Sequence, residues 1–311
     1  MINTENPWKG MPTNSKRLFP TKIINNVYIS TIIKNYVFSI FLETEDFSLS
    51  SNLKINGILF KKNKNEIHIV LTDNSNWQLF HYLGIDLIKS IDKHFPSDIE
   101  LVRQLEYRAF QWQELLKKKY SADMPLTLQI GLFSEIATII ESIKIGYNPE
   151  RILQAWTGPD KAKQDFNFDN ILLELKSYSL EKGPLVTITS EYQLYSPEKP
   201  LYLCCYALTF SEIGNTIKQQ SNFVLSRFSD ISLKSEFIKK LFEYGYDYFN
   251  PDQKLISFII ESILNYKISE NFPKITPTDL TDGLSDVRYK INISKCSSFL
   301  INKIPDYYVI N

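Results

Sequence analysis

The stretch of sequence that decides the fold runs from Gly131 to Leu194, and it carries five short segments. In chain order these segments are Gly131-Leu132-Phe133-Ser134-Glu135, Trp156-Thr157-Gly158-Pro159, Gln164-Asp165-Phe166, Leu173-Glu174-Leu175-Lys176-Ser177 and Ser190-Glu191-Tyr192-Gln193-Leu194. Residues 165–168 and 171–177 are strand-like, and Asp169-Asn170 joins them. A two-residue connection of this kind between strand-like runs predicts a tight hairpin.

The hairpin would bring charged side chains together. Because residues two apart in a strand point to the same face of a sheet, Glu174 and Lys176 project together while Leu175 points the other way. Asp165 opens the neighbouring strand, so a tight turn returns Glu174 to its vicinity. The backbone carbonyl of Leu175 would lie within reach of an ion held there. We therefore expect Asp165, Glu174 and Lys176 to meet.

These three residues have the composition that hydrolysis of a phosphate ester requires. Carboxylate oxygens hold hard divalent cations, and such a cation polarises a phosphoryl oxygen and lowers the pKa of a bound water. A lysine beside that water stabilises the charge that develops in the transition state. A solvated Glu–Lys pair on a strand face explains the same spacing without chemistry, so the spacing alone leaves a purely structural α/β protein open.

The order of the five segments resembles a prokaryotic branch of the PD-(D/E)XK nuclease superfamily, which is known mostly as a domain of unknown function. Its members lie beside methyltransferases and ATPases in restriction-like gene clusters. The resemblance extends to Asn6-Pro7-Trp8, to the helix around Trp112, and to Phe272-Pro273-Lys274 and Val287-Arg288-Tyr289. It covers most of the chain, although only the central stretch is specific.

The resemblance implies a role for individual residues. Asp165 resembles the metal-binding Asp of the superfamily, and Glu174 with Lys176 resembles its (D/E)XK pair. Glu135, on the first helix of the core, resembles the acidic residue that backs the metal site. Gln193 resembles a polar residue that some branches use to steady the site or to contact DNA. The implied metal ligands are the two carboxylates of Asp165 and Glu174, joined by the carbonyl of Leu175.

The function implied by this resemblance is that of a Mg²⁺-dependent DNA endonuclease, with Mn²⁺ able to substitute, in a restriction or anti-phage defence system. A double-strand cutter needs two sites, so we expect a homodimer, with methyltransferase and ATPase subunits as further partners. The alternative is a nuclease-fold subunit that binds DNA or a partner enzyme without cutting by itself. Gln164 precedes Asp165 where the superfamily's name has a Pro, but members often lack that Pro.

The strand and helix patterns predict an α/β (α+β) protein, and the resemblance implies a restriction-endonuclease-like core in which helices flank a mixed central sheet. Residues 1–20 are polar and Pro-punctuated, which predicts an extended arm. Residues 21–122 predict an N-terminal α+β unit, with an antiparallel sheet of about four strands followed by two helices. Residues 123–311 form the nuclease-like core, which begins with a helix over 126–144. Its C-terminal region is predicted to be helical over 213–228, 232–249 and 251–266.

The charge balance, the cysteines and the apolar segments of the sequence indicate which partners and which cellular location to expect. The chain has 35 basic and 35 acidic residues, so any nucleic-acid surface has to be a local patch. Its three cysteines have neither zinc-site spacing nor a disulfide framework, which fits a reducing cytoplasm. The first residues do not form a signal peptide, and no apolar segment is expected to approach the roughly 18 residues that span a bilayer. We expect a cytoplasmic protein without a membrane partner.

Overall fold

The computed structural model describes residues 5–304 except Asn25, Asn52, Lys54, Asn56 and residues 118–123. The chain forms two compact units. Unit 1 comprises Met1–Lys119 and Ser229–Lys239, and unit 2 comprises Tyr120–Phe228 and Lys240–Asn311. The boundary predicted at residue 122 lies outside the described residues.

Unit 1 is built on a five-stranded antiparallel sheet. Its strands are β1 Lys16–Leu18, β2 Val27–Ile32, β3 Asn35–Phe41, β4 Ile58–Asn63 and β5 Glu66–Leu71. They lie side by side in the order β1-β2-β3-β5-β4, and helices α1 Trp77–Ile91 and α2 Asp98–Lys117 follow them in the chain. This is the antiparallel sheet followed by two helices that the sequence pattern predicts.

The described part of residues 1–20 differs from the extended arm that the sequence predicts. Trp8 is only 2% exposed, and its ring stacks on Tyr36 and contacts Phe80, with centroid distances of 5.1 and 5.4 Å. Lys16–Leu18 pairs with β2. Burial of a large aromatic ring explains the difference, because it stabilises a segment whose other residues are mostly polar.

His81 lies on α1 with its ring edge-on to Trp8, at a centroid distance of 5.7 Å. Burial lowers the pKa of His81 from 6.5 to about 4, because it disfavours the charged imidazolium. The folded state therefore binds this proton more weakly than the unfolded state. The stability associated with neutral His81 is present above pH 6.5 and is lost as the pH falls through 4.

We expect His81→Gln to remove part of the acid sensitivity of the protein. Between pH 7 and pH 4 its free energy of unfolding, measured by urea denaturation, should fall by about 3 kcal/mol less than that of the parent. His94→Gln, at an exposed position, is the control and should keep the parent's pH profile. Equal acid sensitivity in the parent and in His81→Gln would contradict this expectation.

Unit 2 has seven strands and four helices in the part of the chain that the structure describes. The strands are β6 Phe166–Asn167, β7 Leu172–Ser179, β8 Leu185–Ile188, β9 Leu201–Asn215, β10 Phe258–Ile268, β11 Tyr289–Asn292 and β12 Leu300–Ile301. The helices are α3 Leu126–Lys144, α4 Pro149–Ala155, α5 Ile217–Arg227 and α6 Ile231–Tyr244. Residues of α6 before Lys240 belong to unit 1.

A mixed five-stranded sheet in the order β12-β10-β9-β7-β6 forms the centre of unit 2. β7 and β9 are parallel, and the other neighbours are antiparallel. On one face α3 contacts the sheet through a 2.6 Å hydrogen bond between the hydroxyls of Ser134 and Ser177. The other face packs against the separate β8–β11 sheet in a hydrophobic cluster that includes Leu203, Val186 and Ile291. The predicted mixed central sheet is therefore present, with helix α3 on one face and the β8–β11 sheet on the other.

The end of unit 2 is less helical than the sequence predicts. The helix predicted over 251–266 is wrong, because this run leads into β10, which pairs with β9 from Phe258 to Ile268. Apolar residues here fit a helical and a strand period alike, and pairing with the long apolar β9 decides for the strand. The helix predicted over 213–228 begins only at Ile217, because β9 continues to Asn215 and Thr216 caps α5.

Helix α3 also corrects an expectation about apolar segments. It has 19 residues, and its best window has a mean hydropathy of 1.4, so length and composition would allow it to cross a membrane. No other helix among the described residues meets that criterion. However, 56% of this window is buried within the fold, and Ser134 and Glu135 on the helix make internal hydrogen bonds. We therefore interpret α3 as the core helix of unit 2.

Candidate active site

The hairpin between β6 and β7 brings Asp165 to the edge of β7. Phe166 pairs with Leu173, so the residue before β6 reaches the middle of β7. There Oδ2 of Asp165 accepts a 2.7 Å hydrogen bond from the backbone N–H of Leu175. The structure thus forms the predicted hairpin and places Asp165 beside the (D/E)XK segment.

Glu174 and Lys176 form a buried ion pair on β7. Lys176 Nζ lies 2.7 Å from Glu174 Oε1, and their side chains are 16% and 1% exposed. Apart from this ion pair, neither oxygen of the Glu174 carboxylate has a hydrogen-bond partner within the described residues. Burial of a carboxylate oxygen is costly where no hydrogen bond replaces the water that it loses, and this applies to Oε2 of Glu174. Oε2 therefore remains available to bind a cation.

Glu135 projects from α3 and is held by two donors. It is 4% exposed; Trp156 Nε1 donates a 2.6 Å hydrogen bond to its Oε2, and the hydroxyl of Tyr244 donates a 2.8 Å bond to its Oε1. The neighbouring Gly158 leaves room for this arrangement, because a Cβ there would overlap Oε2 of Glu135. The carboxylate of Glu135 therefore has a fixed position.

These four residues, Glu135, Asp165, Glu174 and Lys176, form what we call the charged cluster. Burial and then Asp165 raise the pKa of Glu174 to about 8, although Lys176 opposes this. Burial also raises the pKa of Asp165, against Lys176 and the N–H of Leu175. Burial, Asp165 and Glu174 together raise the pKa of Glu135 well above its usual range.

The pKa of Lys176, the lysine of the charged cluster, is also raised, but burial has the opposite effect on it. Burial disfavours its charged form, but the attraction of Glu174, Asp165 and Glu135 outweighs burial and raises the pKa of Lys176. Lys176 is therefore a stable cation at neutral pH. Three carboxylates share this one cation, so additional positive charge would relieve their mutual repulsion.

The charged cluster fits a divalent cation by its donor set. Asp165 and Glu174 supply carboxylate oxygens, and Leu175 supplies a carbonyl on the strand edge where its N–H meets Asp165. Across the described residues, no three His, Cys, Asp or Glu side chains form a ready-made metal-binding group. A cation here would thus be held by two carboxylates and one carbonyl. The observation in favour of that fit is Oε2 of the buried Glu174, which has no hydrogen-bond partner within the described residues.

A comparison with known protein families decides the relationship. The family model described as "Putative PD-(D/E)XK family member, (DUF4420)" matches residues 4–294. The chain belongs to this family. Membership in this PD-(D/E)XK family confirms the suspected superfamily and the restriction-endonuclease-like fold class, and it indicates a nuclease-type function. No curated protein and no solved structure gives a significant match to the chain.

Among the residues assigned from PD-(D/E)XK resemblance, Gln193 makes its side-chain hydrogen bonds within a turn. Its Oε1 accepts hydrogen bonds from the backbone N–H and the hydroxyl of Thr189, at 2.8 and 3.2 Å. Within the described residues, no hydrogen bond joins the side chain of Gln193 to the charged cluster. Gln193 thus closes the turn after β8, and its role at the site stays a prediction.

The sequence does not predict two partners of the charged cluster. Tyr244 follows Glu135 by 109 positions, so no local spacing marks it. Trp156 lies in one of the five quoted segments, but its spacing does not indicate the hydrogen bond from its indole to Glu135. Gln164, in the place of the missing Pro, donates a 2.9 Å hydrogen bond to the carbonyl of Tyr192 and so ties the loop after β8 to the residue next to Asp165.

Proposed function

We propose that this protein is a divalent-metal-dependent DNA endonuclease that hydrolyses phosphodiester bonds. The observation that carries the proposal is the buried carboxylate of Glu174: its Oε1 lies 2.7 Å from Lys176 Nζ, and its Oε2 has no hydrogen-bond partner within the described residues. Buried polar groups with a purely structural role are almost always hydrogen-bonded. A metal ligand, in contrast, keeps its oxygens open for the ion. Membership in a PD-(D/E)XK family supports the same reading.

The residues of the charged cluster would have different roles in the reaction. Asp165 and Glu174, with the carbonyl of Leu175, would hold Mg²⁺ or Mn²⁺, an ion that polarises the scissile phosphate and activates water when bound. Lys176 would remain charged beside the reacting phosphate and stabilise the negative charge that develops there. Glu135 would stay behind the ligands, with its carboxyl group held in place by Trp156 and Tyr244.

DNA is the proposed substrate because two exposed lysines lie in the turn just before Asp165. Lys161 and Lys163 are exposed in the turn that leads to Asp165, and Lys163 Nζ lies 4.6 Å from the ring centre of Tyr192. Lysines that contact phosphates supply most of the sequence-independent affinity for DNA. They would give this chain of zero net charge the local basic patch that DNA binding requires.

The biological setting belongs to the same proposal. We propose a role in a restriction or anti-phage defence system in the cytoplasm, as a homodimer that acts with methyltransferase and ATPase subunits. The dimer follows from the need for two sites to cut both strands. The methyltransferase and ATPase subunits are proposed because members of the PD-(D/E)XK branch that the sequence resembles lie beside such proteins in gene clusters.

A plasmid assay tests the activity. Supercoiled DNA should be nicked or linearised in Mg²⁺ or Mn²⁺ and should stay intact in EDTA, with single-stranded DNA and RNA of equal length compared as competitors. DNA retardation in Ca²⁺ without cleavage in Mg²⁺ or Mn²⁺ would favour the non-cutting subunit instead. If the protein neither binds nor cuts DNA under these conditions, the proposed substrate is wrong.

A further inference from the structure

The carboxylate of Glu135 lies in a cage built from three separate segments of unit 2. Trp156 follows α4, Tyr244 ends α6, and Glu135 itself lies in the middle of α3. The two partners donate one hydrogen bond to each carboxylate oxygen. Hydrogen bonds to a charged acceptor are among the stronger ones in proteins, so this arrangement fixes the orientation of the carboxylate as well as its position.

Two glycines of the family-marking segments make the cage possible. A Cβ at Gly158 would overlap Oε2 of Glu135, and a Cβ at Gly131 would lie 2.5 Å from the hydroxyl oxygen of Tyr244. Neither glycine has a positive φ, so left-handed backbone does not explain their presence. The glycines are explained by the close approach of the side chains of Glu135 and Tyr244, which leave no room for a Cβ. Gly158 thus makes room for the carboxylate of Glu135, and Gly131 makes room for the Tyr244 hydroxyl that donates to it.

A second contact holds the end of α6 in place. Lys240, one turn before Tyr244, donates hydrogen bonds to the carbonyl of Trp156 at 2.6 Å and to Oδ2 of Asp160 at 3.2 Å. Residues four apart lie on one face of a helix, so Lys240 and Tyr244 both point towards Trp156 and Glu135, to which they donate hydrogen bonds. The hydroxyl of Tyr244 is therefore presented to Glu135 by an anchored helix end.

We propose that Tyr244 is a positioning residue of the cation site: its hydroxyl holds the carboxyl group of Glu135 in a fixed orientation behind Asp165 and Glu174, outside the set of metal ligands. This inference rests on the proposed metal-dependent function. With both donors in place, the carboxyl group of Glu135 keeps one orientation. Without the hydroxyl, only Trp156 holds this group, so it can rotate towards the metal ligands and compete with them. Partners in the layer behind metal ligands typically change metal affinity or activity by about 10- to 100-fold when they are removed.

Tyr244→Phe tests this role, because it keeps the ring and removes only the hydroxyl. We expect the Kd for Mn²⁺, measured by calorimetric titration of the protein with MnCl₂ in the absence of DNA, to rise by about 10- to 100-fold. Cleavage at a low Mn²⁺ concentration should fall accordingly, and saturating Mn²⁺ should restore most of the rate. The matched control is Tyr246→Phe, which makes the same change in another buried tyrosine and should keep the parent's Kd.

A double-variant cycle shows whether Tyr244 acts through Glu135. In a Glu135→Ala background, Tyr244→Phe should change the affinity for Mn²⁺ no further. Parent-like or tighter Mn²⁺ binding by Tyr244→Phe, or an equal loss in Tyr246→Phe, would overturn the role of Tyr244 and leave the proposed nuclease function standing. A parent protein that binds no Mn²⁺ would overturn both.

Discussion

Lys176→Met is expected to lower the rate of metal-dependent DNA cleavage by about 10²- to 10³-fold while Mn²⁺ binding persists. Methionine keeps much of the length of the side chain and removes its charge. The carboxylates of Asp165 and Glu174 remain to hold the ion, and with less competition from a neighbouring cation they should bind Mn²⁺ at least as tightly as in the parent. The separation of binding from cleavage distinguishes a lysine that stabilises the transition state from one that only pairs with Glu174.

The measurement is a comparison of cleavage rates at saturating Mn²⁺ with Mn²⁺ titrations of the DNA-free protein. Lys267→Met is the matched control, since Lys267 is an exposed lysine on β10 of the same sheet, and it should cleave like the parent. In metal-free buffer Lys176→Met should also be less stable than the parent, because Glu174 loses its buried counter-charge. Cleavage by Lys176→Met at the parent's rate would remove Lys176 from the mechanism.

Glu174→Gln is expected to abolish cleavage and, at the same time, to stabilise the metal-free protein in alkaline solution. Burial and Asp165 raise the pKa of Glu174 from 4.5 to about 8. A carboxyl whose pKa is raised by folding favours the folded state fully below pH 4.5, and this contribution is lost as the pH rises through 8. Glutamine does not titrate. The metal-free variant should therefore exceed the parent in stability at pH 9 by an amount on the order of 5 kcal/mol.

Unfolding in urea with EDTA, at pH 5 and at pH 9, measures this difference. Glu261→Gln, at an exposed position on β10, is the matched control and should follow the parent at both pH values. Added Mn²⁺ should raise the melting temperature of the parent and not that of Glu174→Gln, because only a form that binds the ion is stabilised by it. Parallel pH profiles for the parent and Glu174→Gln would show that folding does not raise the pKa of Glu174.

The centre of the site follows from local sequence because it is a local structure. Asp165 and Glu174 belong to one hairpin, and the period-two alternation of strands fixes which side chains of β7 share a face. The contact between Asp165 and the N–H of Leu175 and the ion pair of Glu174 with Lys176 are therefore predictable from spacing. The assignment of catalytic roles to these residues stays a prediction.

The surroundings of the site could not be predicted in the same way. Tyr244 meets Glu135 only because α6 returns to α3 after more than one hundred residues, and such long-range contacts leave no periodic signal. The role that the resemblance implies for Gln193 stays a prediction, because its side chain closes a turn with Thr189 and this contact does not assign a role at the site. The helix predicted over 251–266 failed because an apolar run of this kind satisfies two periods, and only its partner β9 selects between them.

The two glycines beside Glu135 offer a way to recognise working copies of this protein among its relatives. Gly158 is constrained only while a carboxylate occupies the neighbouring position on α3, and Gly131 only while a tyrosine ends α6. A lineage that has lost the acidic residue is released from both constraints, and its glycines are free to drift to alanine or serine. Paired retention of these glycines therefore marks descendants in which selection still acts on the site.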